Sequence, residues 1–223
     1  MKTTLVAAFA ALSLAACTKV PSDGIATRAL FARYDVVVTG GVAEARASFT
    51  VGESSLTFVE LVRGDAVYCN GVPLYRDSSA VGEVHYSASL PAQSAGYVFQ
   101  LSRPGETVNT RVSGASSLAI TAPAEGAQVS IRDPLRIGWT TGPDYASNVQ
   151  LDLDGACTDH LALTAADEGR DTISSSQLVL RGSASCPARL TLRRSVERSL
   201  SSPFAGGRTS AGEEASVDVT LVP

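Results

Sequence analysis

The chain has 223 residues, 44% hydrophobic and 18% charged, with 19 Gly and 10 Pro. That composition suits one large or two small cores and excludes disorder. A formal charge of −4, with no basic stripe set among aromatics, excludes a nucleic-acid footprint.

The first element is the leader. Lys2 gives a short positive start, and Leu5 to Ala16 form an apolar run of 12 residues, too short for the ~20 a spanning helix needs. Small residues Ala15 and Ala16 precede Cys17, as a peptidase site requires. Residues 1–16 are therefore predicted to be a cleaved secretory signal peptide. The run Leu14-Ala15-Ala16-Cys17 resembles the lipobox of bacterial lipoproteins. That resemblance implies diacylglyceryl transfer to the Cys17 thiol, cleavage before it, and acylation of the new amino group. The alternative is an ordinary leader whose cysteine falls at the cut by chance. Thr18 follows, where enteric lipoproteins kept in the inner membrane tend to carry aspartate. The resemblance thus implies lipid anchorage in the outer membrane, facing the periplasm. Residues 17–27 are read as the lipidated cysteine and a flexible tether. No later segment is apolar enough to cross a bilayer as a helix.

From residue 28 period-2 alternation dominates. "RYDVVVTG" sets Tyr34, Val36 and Val38 on one face; "VAEARASFTVG" sets Ala43, Ala45, Ala47, Phe49 and Val51 inward. "AVYCNGVPLY" predicts a hairpin about Asn70-Gly71, because both turn positions need φ > 0. "GEVHYSASL", "YVFQLSR" and "TVNTRV" complete a first antiparallel β-sandwich, residues 28–115.

The small, polar stretch "SGASSL" (113–118) marks the boundary, and residues 116–223 form the second domain. Its strands are "LAITAPAEGAQVSI", "PLRIGWTT", "NVQLDLDG", "HLALTA", "QLVL", "ARLTLRRSVERSL" and "ASVDVTLV". Ala122-Pro123-Ala124-Glu125-Gly126 in the opening strand, with Trp139 near the end of the presumed second strand, resembles fibronectin type III and immunoglobulin-like domains of bacterial surface proteins. The fold class expected is all-β, two tandem immunoglobulin-like or fibronectin type III-like sandwiches. Both halves end similarly, in two alternating segments (Tyr97, Phe99, Leu101 then Val108, Thr110, Val112; Leu190, Leu192 then Val217, Val219, Leu221) read as the last two strands of each sandwich.

An oxidising envelope favours pairing of cysteines, and Cys157 and Cys186, both in the second domain, are predicted to be bonded. Cys69 is left over. It reads as a buried small hydrophobe, with an intermolecular disulfide or reactive thiol as the alternative. Asp152, Asp154, Asp159, Asp167, Glu168 and Asp171 suggest a calcium site, but Gly155 falls at the fourth position after Asp152, where an EF-hand needs it at the sixth. Cys157, His160 and Cys186 suggest zinc without an evident fourth ligand. No metal site or cofactor is therefore assigned. His85 and His160 are the only histidines, and no G-x-S-x-G elbow or glycine-rich phosphate loop accompanies them. Catalytic residues are accordingly not assigned, and a hydrolase is the least favoured reading.

Tyr68, Tyr75 and Tyr145 near turns are the residues a glycan platform would use, while Trp139, Phe49, Phe58 and Phe99 read as core. Arg189, Arg193, Arg194, Arg198 and Arg208 gather toward the C-terminus. They would meet an acidic partner or lipopolysaccharide phosphates, or discourage edge-to-edge aggregation. The function expected is a non-catalytic interaction or structural module of the cell envelope. Its partner is an unidentified envelope protein or glycan, and a carbohydrate-binding accessory or surface adhesin is the alternative. Its binding face is expected in the loops at the sandwich ends or on an unpaired edge strand.

Overall fold

The computed structural model describes residues 18–53, 55–78, 82–93, 95–113, 118–141, 148–182 and 184–223. Cys17, the leader, Tyr145 and most of the expected boundary stretch lie outside the described residues.

The described residues form strands and short 3-10 turns, with no α-helix among them. In the N-terminal half the strands are β1 (Thr18–Pro21), β2 (Phe31–Thr39), β3 (Val42–Thr50), β4 (Thr57–Glu60), β5 (Ala66–Cys69), β6 (Val72–Pro73), β7 (Tyr75–Ser78), β8 (Val84–Pro91), β9 (Tyr97–Arg103) and β10 (Glu106–Val112). There follow β11 (Ile120–Ala122), β12 (Ala127–Ser130), β13 (Leu135–Trp139), β14 (Asn148–Asp154), β15 (Leu161–Ala166), β16 (Arg170–Ile173), β17 (Cys186–Ser199) and β18 (Gly206–Val222).

Two cores result. The first buries Tyr34, Phe49, Tyr97, Phe99 and Leu101 between a sheet built on β7, β8, β3 and β2 and a facing sheet ordered β10-β9-β5-β6. The second buries Trp139, Leu151, Leu153, Leu190 and Leu221 between β15-β14-β17-β18 and a facing sheet ordered β11-β13-β16. Each is an immunoglobulin-like β-sandwich: strand alternation puts apolar side chains between the sheets and polar ones outside. The hairpin at Asn70-Gly71 forms as its sequence requires, with φ of 48° and 80° and Cys69 facing Val72. Val51, expected inward, lies past the end of β3 and is 40% exposed.

The two sandwiches are not closed separately. β17 and β18 form one hairpin that pairs from Cys186↔Leu221 to Ser199↔Arg208 and runs through both units. The first half of β18 pairs parallel with β2, Gly206↔Phe31 to Glu214↔Thr39, and Phe204 at the hairpin tip enters the first core beside Tyr34, ring centroids 6.1 Å apart. The division at residue 116 is therefore corrected: the end of the chain completes the first sandwich. Glycine permits the docking, since Gly207 has φ +131° and a Cβ there would collide with the carbonyl oxygen of Ala32.

The tether is the second correction. β1 pairs parallel with β4, Thr18↔Thr57 to Pro21↔Glu60, and 3-10 turns follow at Ser22–Gly24 and Thr27–Ala29. Arg103 holds this segment. Its Nη2 donates to Ser22 O at 2.7 Å, its Nη1 to Ile25 O at 2.8 Å and Thr27 Oγ1 at 3.1 Å, and its Nε to buried Asp65 at 3.0 Å. Ser22 Oγ accepts the Val62 N–H at 3.0 Å. Pro and Gly in residues 18–27 thus shape turns of a docked segment instead of a free linker.

Candidate functional site

Cys157 and Cys186 are joined in a disulfide, so neither thiol is open to zinc. Cys69 is free and buried, and burial pushes its thiol up to about 12. Cys69 is therefore expected to react with iodoacetamide at pH 8 only after unfolding. Rapid labelling of the native protein, read by mass spectrometry, would contradict this.

The acidic residues do not converge. Arg193 Nη1 donates to Asp152 at 3.2 Å, Arg181 pairs with Asp159, and Asp167 is turned inward. His160, exposed at the start of β15, lies 3.8 Å from Asp152 and 4.0 Å from Asp154. His85 is buried on β8, 3.6 Å from Asp77, with its Nδ1 unpartnered. The two histidines thus stand in different sandwiches, each beside carboxylates. Tyr75 is 70% exposed on β7, while Tyr68 sits half-buried in the opposite sheet, so these two do not make one flat platform.

Most of the C-terminal arginines are paired along the ribbon. Arg189 reaches Asp218 twice, at 2.7 and 3.0 Å, and these hydrogen bonds hold the Asp218 carboxyl below the usual range. Arg193 donates to Glu214 at 2.7 Å, and Arg208 lies 3.6 Å from Glu197. Arg189 and Arg193 lie where β17 is flanked by both β14 and β18, so the edge-protecting role fits only Arg198, on the outer half of β17.

Arg194 does something the sequence reading missed. Its side chain is 4% exposed. Its Nε donates to Glu213 at 2.6 Å, and its Nη1 to Thr140 O at 3.0 Å and to Asp167 at 3.2 Å; Asp167 also accepts the Trp139 indole N–H at 2.8 Å. This buried cluster lies at the waist between the cores, because Glu213 pairs with Val38 of the first sandwich while Trp139 and Asp167 belong to the second. Burial raises the Glu213 carboxyl above its ordinary range despite the opposing pull of Arg194. The signal was available: Arg194 has the inward parity of Leu190 and Leu192, and Glu213 that of Val217, Val219 and Leu221.

The cluster also fixes one end of β15. That strand, "LALTAA", leads into Asp167 at the waist. Its other end is held by the Cys157–Cys186 disulfide, a bridge from Thr158 to Leu180, and the Thr158 hydroxyl donating to Val179 O at 2.7 Å. β15 pairs with β14 along its whole length, and among the described residues no strand covers its outer side. Edges normally carry charge, proline or brevity against unwanted pairing. The others here do: Lys19 and Pro21 on β1, Arg76 and Asp77 on β7, Pro73 on two-residue β6, Glu106 and Arg111 on β10 and Arg170 and Asp171 on β16, while β11 and β12 have three and four residues. β15 has six residues with neither charge nor proline. Beside it a shallow groove of about 370 Å³ is lined by Gln150, Thr164, Arg193, Ser195 and Glu214.

No protein-family model matches this chain, and no curated protein does. Among solved structures it is similar to the fibronectin(III)-like modules of Clostridium thermocellum CbhA, at 14% identity and a TM-score of 0.29, covering 85% of this chain and 87% of that one. A two-domain fibronectin type III segment of chicken tenascin aligns at 9% identity and a TM-score of 0.29, covering 85% and 97%. Scores this low carry no argument, and the architecture rests on the strand order above.

Proposed function

We propose that this chain is a lipoprotein anchored through Cys17 to the outer membrane, facing the periplasm, and that it works as a non-catalytic interaction module. The observation carrying the interaction role is the unguarded edge of β15, held taut between a disulfide and a buried ion cluster. Unpaired N–H and C=O groups on such an edge accept an extended segment of a partner as an added strand. Leu161, Leu163 and Ala165 set the side-chain alternation the partner must continue. The partner proposed is an extended segment of a different envelope protein. Anchorage raises its effective concentration beside a weak edge.

Crosslinking in intact cells tests this, comparing the natural protein with Cys17→Ala and with the double variant Ala162→Lys, Thr164→Lys. Both substituted positions are exposed, so stability should change by no more than about 0.5 kcal/mol. Partner recovery should fall about tenfold or more in the lysine variant, and also when the anchor is removed. Equal recovery from the lysine variant would rule out the edge.

Tyr75 favours a second reading, a glycan-binding accessory, since an exposed aromatic ring stacks on sugars. Glycan-array binding abolished by Tyr75→Ala, with β15 substitutions silent, would select it.

A further inference from the structure

The described fold begins in strand β1 at Thr18. Thr18 N–H donates to Leu56 O at 3.1 Å, and Val51 N–H to Thr57 O at 3.1 Å. The rim where β1 begins is thus the loop between β3 and β4, and residue 17 is one peptide link away, about 3.8 Å between Cα atoms. That rim presents Leu56, 54% exposed, beside Val51, with Lys19 and Glu53 also exposed. Next to it a groove of about 540 Å³ is lined by Arg33, Arg198 and Arg208 together with Glu53 and Glu83. Aliphatic tips beside mixed charge match the boundary between acyl chains and zwitterionic headgroups.

We infer that this rim seats in the lipid surface and stands the molecule upright on the membrane. The inference rests on acylation of Cys17. Lipid is the occupant because the docked β1 leaves no chain length by which an anchored Cys17 could hold the rim away from the headgroups. The registers then set the orientation. Thr50 beside the rim pairs with Phe31, and Phe31 with Gly206, while Cys186 and Leu221 lie at the opposite end of the ribbon. β18 has 17 residues, so at ~3.3 Å per residue its far end rises about 50 Å from the rim. β15, joined through β14 to residues 189–193 of the ribbon, is lifted roughly 30 Å clear of the headgroups by the same spacing.

The test uses protein purified from membranes, with intact mass reporting acylation, reconstituted in vesicles of phosphatidylethanolamine and phosphatidylglycerol at about 3:1. An environment-sensitive dye is placed at Leu56→Cys or, at the opposite end, at Val179→Cys. Bilayer-borne nitroxide should quench the Leu56 dye at least about threefold more than the Val179 dye, and aqueous iodide should show the reverse. Acylated protein whose two dyes respond alike to both quenchers overturns the upright seating while leaving anchorage intact. A mature mass without acyl chains overturns the anchorage reading, and the seating with it.

Discussion

Replacing Arg194 by alanine should cost about 3–5 kcal/mol of stability, because it strands the buried carboxylates of Glu213 and Asp167 without their cation. The substitution is more damaging than loss of any surface pair on the ribbon, where median values are about 0–1 kcal/mol. Adding Glu213→Gln to the alanine variant should recover part of the loss by removing one of those charges. The penalty should also depend on pH. Burial raises the Glu213 carboxyl, and attraction and hydrogen bonding from Arg194 oppose that rise; without Arg194 the folded value climbs further. A carboxyl raised in the folded state stabilises fully below its unfolded value, ordinarily ~4.3. That contribution disappears as pH rises through the folded value. Urea melts of the alanine variant should therefore approach those of the natural protein near pH 4 and diverge from them at pH 7. A loss that is small, or equal at both pH values, would mean the cluster does not close the waist.

Removing the disulfide with Cys157→Ala, Cys186→Ala should cost about 3–4 kcal/mol by the chain-entropy argument, for a sequence separation of 29. The loss should be local in its first appearance. Cys186 begins β17 in the second core, and Cys157 holds the approach to β15, so amides of residues 161–166 should exchange with solvent before those of β2 and β3. Hydrogen exchange with mass readout separates the outcomes. Uniform acceleration across both sandwiches would mean that the ribbon couples them more tightly than the second core holds itself. If β15 also binds a partner, this variant should weaken binding even where the fold survives, because one support of the edge is gone.

Local alternation carried much of the structure into the sequence. Ala43, Ala45, Ala47 and Phe49 bury the predicted face, Trp139 is core as read, and Asn70-Gly71 turned where its backbone demanded. The disulfide was legible because both cysteines fell in one unit of a chain expected in an oxidising compartment. The ribbon was not, since parallel pairing of β18 with β2 leaves no local mark beyond Gly206-Gly207, and a glycine pair does not say which strand will dock on it. The docked N-terminal segment was hidden for a related reason. Its order comes from Arg103 and Asp65, remote in sequence, whereas its own Pro, Ser and Gly suit turns and tethers alike. The edge of β15 was legible as a strand but not as an edge, because exposure of an edge is a property of sheet order.

The parallel pairing of β18 with β2 also dictates a sequence of events. Phe31 and Gly206 pair across more than 170 intervening residues, so β2 cannot gain its final neighbour until nearly the whole chain has emerged. Non-local closure of this kind slows folding. A chain leaving a translocation pore N-terminus first would hold its first sandwich unfinished, with the hydrogen-bonding edge of β2 open, until residues 204–214 arrive. If the chain is exported as proposed, that dependence postpones completion to the destination side. A truncation ending near residue 200 should consequently leave both halves defective, although the missing piece is only the tail.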